Sequence, residues 1–182
     1  NRLVEDGHEV IVFDNLSTGK QKNINEKAKF FLVDISHQSY FEDEKMKEVM
    51  TGVDVVFHLA AKARVQPSIE NPVEFNNVNV GGTLNMLKAC VDYGVKRFIY
   101  SSSSSVYGNV EQTPTPEEHK LNPMSPYALQ KLIGEQYCKL FSELYDLETV
   151  CLRYFNVYGE RQNTEGAYCL VMGIFAGQLL KG

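Results

Sequence analysis

Short apolar runs alternate with longer stretches of helical periodicity along this chain. Five runs rich in Val, Ile and Phe predict β-strands, over residues 9–14, 30–35, 54–60, 97–102 and 148–155. Because each run is apolar almost throughout, we expect strands that are covered on both faces, as in a parallel sheet. Helical periodicity occupies residues 40–50, 72–93, 126–145 and 166–180. The alternation predicts βαβ units and an α/β fold.

Residues that tolerate a left-handed backbone separate these predicted helices from the strands that follow them. Gly7, Gly52, Gly94 and Asp146 each stand between a helical stretch and an apolar run. Glycine, and less often Asn or Asp, adopts the backbone conformation that ends many helices. The four positions are therefore predicted C-caps.

The composition is that of an ordinary globular domain. The chain has 182 residues, of which 43% are hydrophobic and 23% charged, which fits one domain with its own core. Its apolar runs are far shorter than the roughly 18 residues that a membrane span requires. With a net charge of −5 the chain lacks the basic excess of nucleic-acid-binding proteins. We expect neither a membrane nor a nucleic acid as a partner.

The cysteines and histidines give no sign of a metal site. The four cysteines form no Cys-x-x-Cys pair, so we expect reduced, mostly buried thiols at Cys90, Cys138, Cys151 and Cys169. No secretory signal is visible, which favours a cytoplasmic location. The acidic segment 116–119 is interpreted as solvated surface. His58 lies in a predicted strand, where packing or a backbone hydrogen bond is favoured over catalysis.

Asp14 ends the first predicted strand, in the sequence Phe-Asp-Asn-Leu-Ser-Thr-Gly. A carboxylate at this place in a dinucleotide-binding sheet can accept both hydroxyls of an adenosine ribose and would repel a 2′-phosphate. A strand-ending Asp that caps a turn is the alternative. Asp14 alone does not decide between them.

Tyr127 and Lys131 lie four residues apart at the start of a predicted helix, so both side chains share one helix face. A nearby ammonium favours the phenolate form of tyrosine and makes it a usable acid or base. An ordinary helical pair is the alternative.

Ser102 and Ser103 end a predicted strand, and Ser103 stands 24 residues before Tyr127. Hydroxyls at a strand end can reach the same crevice as the Tyr-x-x-x-Lys helix, although turn serines remain possible.

Several blocks together resemble the extended short-chain dehydrogenase/reductase family, and within it the nucleotide-sugar 4-epimerases that act on UDP-glucose or UDP-N-acetylglucosamine. The resemblance extends over essentially the whole chain. It is carried by residues 14–19, Asp34-Ile35, His58-Leu59-Ala60-Ala61, residues 79–83, residues 101–108, Tyr127 to Lys131 and Arg153-Tyr154-Phe155-Asn156.

The resemblance implies an NAD site and a set of catalytic residues. The implied cofactor-binding residues are Asp14, Asn15, Ser17, Gly19, Asp34, Ile35, Leu59, Ala60, Ala61, Asn79, Tyr127, Lys131, Tyr154 and Phe155. The implied catalytic residues are Ser103, Tyr127 and Lys131, and the implied substrate-binding residues are Ser103, Tyr127 and Asn156. No metal is implied. Leu59 and Phe155 could equally be core residues.

The chain departs from the family pattern at its start. Family members open with a strand and a G-x-x-G-x-x-G loop, whereas residues 1–7 resemble the end of the helix that follows that loop. We expect a Rossmann-type doubly wound parallel sheet that lacks its first strand and glycine-rich loop. Residues 1–182 are expected to form a partial NAD-binding domain, with 157–182 the beginning of an incomplete substrate lobe. Such a fragment is expected to be inactive in isolation.

Ser104 and Ser105 distinguish between related reactions. Relatives that eliminate water, or decarboxylate, carry Asp or Glu at these positions, and without a second carboxyl group no acid or base for elimination is evident. The sequence therefore favours NAD-dependent epimerisation of a UDP-sugar at C4. A nucleotide-sugar 4,6-dehydratase, another extended dehydrogenase and a non-catalytic dinucleotide-binding fragment are the alternatives.

The resemblance also implies a homodimer formed by helices 72–93 and 126–145, with apolar contacts from Leu87, Val91, Leu140 and Leu144.

Overall fold

A computed structural model describes residues 1–161 and 171–181. The described strands are β1 (Ile11–Asp14), β2 (Lys29–Leu32), β3 (Val55–His58), β4 (Arg97–Ser103) and β5 (Glu148–Tyr154). The helices are α1 (Arg2–Glu5), α2 (Glu44–Met50), α3 (Val65–Glu70), α4 (Pro72–Asn76), α5 (Thr83–Asp92), α6 (Pro126–Tyr145) and α7 (Val171–Lys181). This alternation confirms the predicted α/β fold.

All strand pairs in the described residues are parallel, and they form two sheets. One sheet pairs β1 with β2, and the other has the order β3-β4-β5. In the second sheet His58 pairs with Tyr100, and Ser103 pairs with Tyr154. Within the described part of the chain no strand joins β1 to β3. The resemblance to the dehydrogenase family places a further strand at this position.

The predicted strands are in the right places, but the expectation that all are covered on both faces is wrong. Leu32 of β2 is 63% exposed and Phe57 of β3 is 49% exposed. Within the described residues each of these strands pairs with a neighbour on one side only, β2 with β1 and β3 with β4. β4, between two strands, shows instead the alternating burial of a central strand, with Phe98 and Tyr100 fully buried.

α6 has the predicted bounds because its capping signals are local. The Ser125 side chain accepts a hydrogen bond from the Ala128 N–H, Pro126 occupies the first turn, and Asp146 adopts the left-handed conformation after the last turn. Gly7, Gly52 and Gly94 also have positive φ, as predicted. The four predicted C-caps are thus confirmed.

The other predicted helices need correction. The predicted helix 72–93 consists of α4, a π-helical segment Asn77–Gly82 and α5 in succession. Regular helix begins at Glu44 rather than at residue 40, where a 3₁₀ turn Gln38–Phe41 stands instead. α3 was not predicted, since it is short and contains Pro67. For the predicted helix 166–180, residues 162–170 lie outside the described residues and α7 accounts for the rest.

The core lies between β4 and the helices α5 and α6. Leu87, Cys90, Phe98, Tyr100 and Cys138 are fully buried there. Cys90 and Cys138 are free buried thiols and Cys151 is a half-buried one, as predicted, whereas Cys169 lies outside the described residues. No helix within residues 1–161 and 171–181 is long and apolar enough to cross a membrane. The core fixes the position of α6 against the carboxyl end of β4.

Candidate active site

Tyr127 and Ser103 meet where the first turn of α6 faces the end of β4. Burial raises the pKa of Tyr127, whereas hydrogen bonding with Ser103 and the positive charge of Arg64 oppose that rise. The Ser103 hydroxyl oxygen accepts hydrogen bonds from the Ser105 N–H (3.2 Å) and the Ser105 hydroxyl (2.9 Å). These two donors leave the Ser103 proton free to be donated elsewhere. The two predicted reacting side chains are therefore neighbours.

A buried serine holds Tyr127 in place. The Ser68 hydroxyl of α3 accepts a hydrogen bond from the Tyr127 N–H at 3.1 Å and donates one to the Val65 carbonyl at 2.6 Å. Ser68 is completely buried. The start of α3 and the start of α6 are thereby linked through one side chain, and no local sequence pattern predicts this contact.

Lys131 lies one turn further along α6 and is 4% exposed. Its ammonium donates to the Ser101 carbonyl at 2.8 Å and lies 5.0 Å from the centre of the Tyr100 ring. Burial lowers the pKa of Lys131 to about 8. The bond to the Ser101 carbonyl ties α6 to the strand that carries Ser103. That the Lys131 charge favours the phenolate of Tyr127 stays a prediction.

A third residue of the same helix face, Glu135, was missed by the sequence analysis. Glu135 is 7% exposed, accepts a hydrogen bond from the Ser102 hydroxyl, and forms a salt bridge with Arg153 at 2.8 Å. Arg153 also donates to the Tyr107 hydroxyl and the Glu117 carbonyl. The hydrogen bond to Glu135, and after it the one to Tyr107, raise the pKa of Arg153. The four-residue spacing of Tyr127, Lys131 and Glu135 was the available signal.

The first strand's carboxyl end places Asp14, Asn15 and Asp34 together. Asp14 accepts a hydrogen bond from the Leu16 N–H at 2.6 Å, so the turn-capping alternative describes its contact here. The Asn15 amide donates to Asp34 at 3.1 Å, and its oxygen accepts from the Ser17 N–H. Hydrogen bonds from the Ser36 hydroxyl and N–H lower the pKa of Asp34. Asn15, which the resemblance assigns to the adenosine ribose, and Asp34, which it assigns to the adenine, are thus neighbours.

Two glycines permit close approaches near this corner. A Cβ on Gly19 would lie 3.1 Å from the Asp14 carboxylate, and one on Gly82 would lie 2.7 Å from the Ile35 side chain. Ile35 is buried in the core, and its carbonyl accepts a hydrogen bond from Asn85 at 2.8 Å. Gly82 and Asn85 therefore hold the segment after β2, a role the sequence analysis did not assign to them.

The loop after β3 carries the next predicted residues. Leu59 is 69% exposed, so the alternative that it is a core residue is wrong. Ala60 is exposed and Ala61 is half-buried. Asn79 is buried and its amide bonds are used within the protein, to both backbone groups of Lys62 and to Gln130. Asn79 therefore holds the loop after β3 in place.

Tyr154, Phe155 and Asn156 end and follow β5 with exposed side chains. Phe155 is 62% exposed, so the core alternative is wrong for this residue also.

His58, by contrast, is buried, its ring stacks against Phe98 and Tyr100, and it hydrogen-bonds the Thr83 hydroxyl at 3.0 Å. Burial lowers the pKa of His58 to about 3. Packing was the right interpretation, with a side chain rather than the backbone as partner.

The parallel α/β fold, the Tyr-x-x-x-Lys helix and the facing strand-end serine define a Rossmann-type dehydrogenase-like protein. The chain belongs to the NAD dependent epimerase/dehydratase family, which matches residues 1–182. It is 42% identical over 182 residues to a putative UDP-glucose 4-epimerase of Methanocaldococcus jannaschii, covering 100% of this chain and 58% of that protein.

Solved structures show the same likeness. A UDP-glucose 4-epimerase of Thermotoga maritima with UDP-glucose has 40% identity and a TM-score of 0.92, with coverage of 99% of this chain and 58% of the other. A Thermus thermophilus UDP-glucose 4-epimerase in complex with NAD has 40% identity and a TM-score of 0.90, with coverage of 100% and 58%. The chain therefore spans between half and two thirds of the length of these relatives.

Proposed function

We propose that the full-length protein is an NAD-dependent nucleotide-sugar 4-epimerase that acts on a UDP-hexose or UDP-N-acetylhexosamine. The observation that carries the proposal is the arrangement of Ser103 at the end of β4, Tyr127 in the first turn of α6, and the buried Lys131 ammonium, which is bonded to the Ser101 carbonyl of the same strand. Relatives named UDP-glucose 4-epimerase, and a Methanobrevibacter ruminantium UDP-N-acetylglucosamine 4-epimerase with 38% identity, support the sugar class.

The donors and acceptors present fit a dinucleotide. Within the described residues Asp14 uses one carboxylate oxygen, toward the Leu16 N–H, which leaves the other for a ribose hydroxyl. Lys131 uses one of three ammonium hydrogens in its bond to Ser101, which leaves two for the second ribose. The exposed Leu59 and Phe155 offer apolar surface to a ring. NAD, when bound, supplies a reversible acceptor for the C4 hydrogen and its electron pair.

The chain's own residues would handle the proton. Tyr127 takes the proton of the sugar 4-hydroxyl as that carbon is oxidised and returns it after the 4-keto sugar has turned over. Ser103, whose oxygen already accepts two hydrogen bonds from Ser105, donates its own hydrogen to the reacting oxygen. Asn156, exposed after β5, is assigned to the substrate diphosphate. Glu135, the buried carboxylate on the same helix face, is paired with Arg153 and is therefore not available as an acid or base for elimination.

Product analysis tests this reaction. The full-length protein with NAD should convert UDP-glucose, UDP-N-acetylglucosamine or UDP-glucuronate into its C4 epimer, as followed by proton NMR of the anomeric signals. Ser103→Ala should lower turnover, whereas Ser104→Ala, a matched change at the next residue, should leave it near the parental value. A 4-keto-6-deoxy product would identify a dehydratase, and NAD binding without any product would identify a binding protein.

The cofactor preference depends on Asp14. We expect the full-length protein to bind NAD at least about tenfold more tightly than NADP, or roughly 1.4 kcal/mol, because the 2′-phosphate would meet this carboxylate. Calorimetry of both cofactors measures the ratio. Equal affinities would mean that Asp14 only caps its turn.

We also propose a homodimer, with fewer of the predicted apolar residues in its interface. Leu140 and Leu144 of α6 are 47% and 69% exposed, so both are available to a second subunit. Leu87 was wrongly included, because it is fully buried in the core, and Val91 packs partly against that core. Light scattering of the full-length protein at micromolar concentration should give a dimer mass, and a monomer would contradict the proposal.

A further inference from the structure

Ser68 caps a helix to which it does not belong. Because Pro126 has no N–H, the first turn of α6 leaves the backbone donors of Tyr127 and Ala128 for side chains to satisfy. Ser125, the residue before the helix, accepts the Ala128 N–H at 3.1 Å. The Tyr127 N–H is accepted instead by Ser68 of α3, also at 3.1 Å and 59 positions earlier in the chain. The residue assigned to the proton is thus held by a distant segment.

The hydrogen-bonding geometry of Ser68 fits this role. Its hydroxyl donates to the Val65 carbonyl at 2.6 Å, within α3, so the oxygen is left to accept the Tyr127 N–H. Ser68 is completely buried. Removal of the oxygen would therefore leave the Tyr127 N–H against an apolar surface, where an unpaired donor is destabilising.

The Ser68 hydroxyl also reaches back toward the predicted cofactor residues. α3 begins directly after the loop that follows β3, residues 59–64, and residues 59–61 of this loop are assigned to the cofactor. Val65, whose carbonyl accepts the Ser68 hydroxyl, is the first residue of α3. One buried side chain thus connects the end of this loop to the turn of α6 that carries Tyr127.

A second, independent link joins the same loop to the same helix. The buried Asn79 side chain accepts the Lys62 N–H at 2.8 Å and donates to the Lys62 carbonyl at 2.9 Å. Its amide also donates to Gln130 at 3.0 Å, which lies one turn after Tyr127 in α6. The loop after β3 is therefore held against the start of α6 near its middle through Asn79 and at its end through Ser68.

The proposed reaction requires a fixed separation between these two segments. The sugar 4-hydroxyl loses its proton to Tyr127 while the C4 hydrogen passes with its electron pair to NAD, so both acceptors must be within reach of one carbon at the same time. The loop after β3 is assigned to one acceptor, and the start of α6 carries the other. A displacement of about 1 Å between reacting groups can lower a rate by about 100-fold.

We propose that Ser68 is a positioning residue for the reaction, whose hydroxyl sets the place of the Tyr127 side chain relative to the loop assigned to the cofactor. The proposal deepens the proposed function and rests on it for the proton and hydride transfers. Ser68 acts through the Tyr127 backbone N–H rather than on the reacting atoms. Its loss should therefore slow the chemical step and leave the binding of UDP-sugar and NAD nearly unchanged.

Three variants of the full-length protein separate the hydrogen bond from packing and from helix stability. Ser68→Ala removes the oxygen. Ser68→Cys keeps the site filled, but a thiol is a weak hydrogen-bond acceptor. Ser125→Ala is the matched control, because it removes the other cap of the same helix turn and leaves the bond between Ser68 and the Tyr127 N–H in place. Urea unfolding of all three verifies that each is folded under the assay conditions.

We expect kcat of Ser68→Ala to fall by about 10- to 100-fold, while KM for the UDP-sugar stays near the parental value. The isotope effect with a sugar deuterated at C4 should increase, because hydride transfer becomes rate-limiting. Ser68→Cys should lose kcat in the same way, and it decides the question if Ser68→Ala does not fold. Ser125→Ala should keep a kcat near that of the parent.

Parental kcat in Ser68→Cys, or an equal loss of kcat in Ser125→Ala, would overturn the proposal and leave Ser68 a purely structural role. A raised KM with unchanged kcat would overturn it as well. A parental protein that epimerises no sugar would overturn the proposed function instead. In that case hydrogen exchange of the Tyr127 amide, faster in Ser68→Ala than in the parent and in Ser125→Ala, would support the link on which the proposal stands, and unchanged exchange would overturn it.

Discussion

At the ends of β1 and β2 most side-chain hydrogen bonds of the candidate site join residues two positions apart. Around β4 and α6 most of them join residues 18 to 59 positions apart, although the two Ser105–Ser103 bonds are local. The first region, the β1–β2 corner of Asp14, Asn15 and Asp34, is half-buried and belongs to a two-stranded sheet. The second, the β4–α6 face, contains Lys131 and Glu135, both more than 90% buried.

The β1–β2 corner is therefore a surface open to a ligand, whereas the β4–α6 face is a rigid scaffold. Turn-capping hydrogen bonds between near neighbours form whenever the local turn forms, and they add little to global stability. Buried charges joined across distant segments are strongly destabilising when one partner is lost, because the other is left without compensation. Substitutions in the two regions should therefore differ in size and in dependence on pH.

The largest effect is expected for Glu135→Ala. This change leaves the Arg153 guanidinium and the Ser102 hydroxyl without their partner inside the protein. Loss of one member of a buried pair costs about 3–5 kcal/mol, and urea unfolding measures it. Glu143→Ala, on an exposed turn of the same helix, is the control and should change stability by less than about 0.5 kcal/mol. Equal effects of the two changes would remove the distinction between the regions.

An intermediate, pH-dependent effect is expected for Lys131→Met. The folded pKa of Lys131 is about 8 because of burial, below the value of about 10.4 in an unfolded chain. Between these values the unfolded state binds more protons, so this lysine makes the parent more stable as the pH rises from about 8 to about 10. The stability difference between parent and Lys131→Met should shift in favour of the parent across that window. A pH-independent difference would mean that the ammonium is not desolvated.

The smallest effect is expected for Asp34→Asn at the β1–β2 corner. Its folded pKa is lowered, chiefly by the Ser36 hydroxyl, so its contribution to stability is present above the unfolded pKa and is lost as the pH falls through the folded one. At pH 7 the substitution should cost less than about 1 kcal/mol. Below the folded pKa of Asp34 parent and variant should unfold alike in urea. A larger loss of stability at neutral pH would mean that the β1–β2 corner contributes to stability as strongly as the β4–α6 face does.

The comparison also explains which parts of the molecule sequence patterns could reveal. α6 was predicted with its bounds because Ser125, Pro126 and Asp146 are signals within the helix ends themselves. The fold class followed from the alternation of strands and helices, and the candidate residues Ser103, Tyr127 and Lys131 from their order. Each of these signals depends on residues close together in the chain.

What the patterns missed depends on residues far apart. In the sequence, Glu135 looks like an ordinary surface carboxylate of a helix. In the structure, β5 brings Arg153, 18 positions away, into contact with it. Ser68 belongs to the short helix α3, and its hydroxyl accepts a hydrogen bond from the Tyr127 N–H, 59 positions further along the chain. The 49% exposure of Phe57 depends on what packs against the face of β3, which the apolar run 54–60 does not reveal.

The turnover of Tyr127→Phe tests the central claim most directly, because the change keeps the ring and removes the group assigned to the proton. Turnover of the UDP-sugar by the full-length variant should fall by about 10²- to 10⁴-fold, the usual contribution of a positioned acid or base. Tyr137→Phe, the same change on the same helix at a side chain packed against the core, should keep parental turnover. Parental turnover in Tyr127→Phe would contradict the assignment of the chemistry to the β4–α6 face.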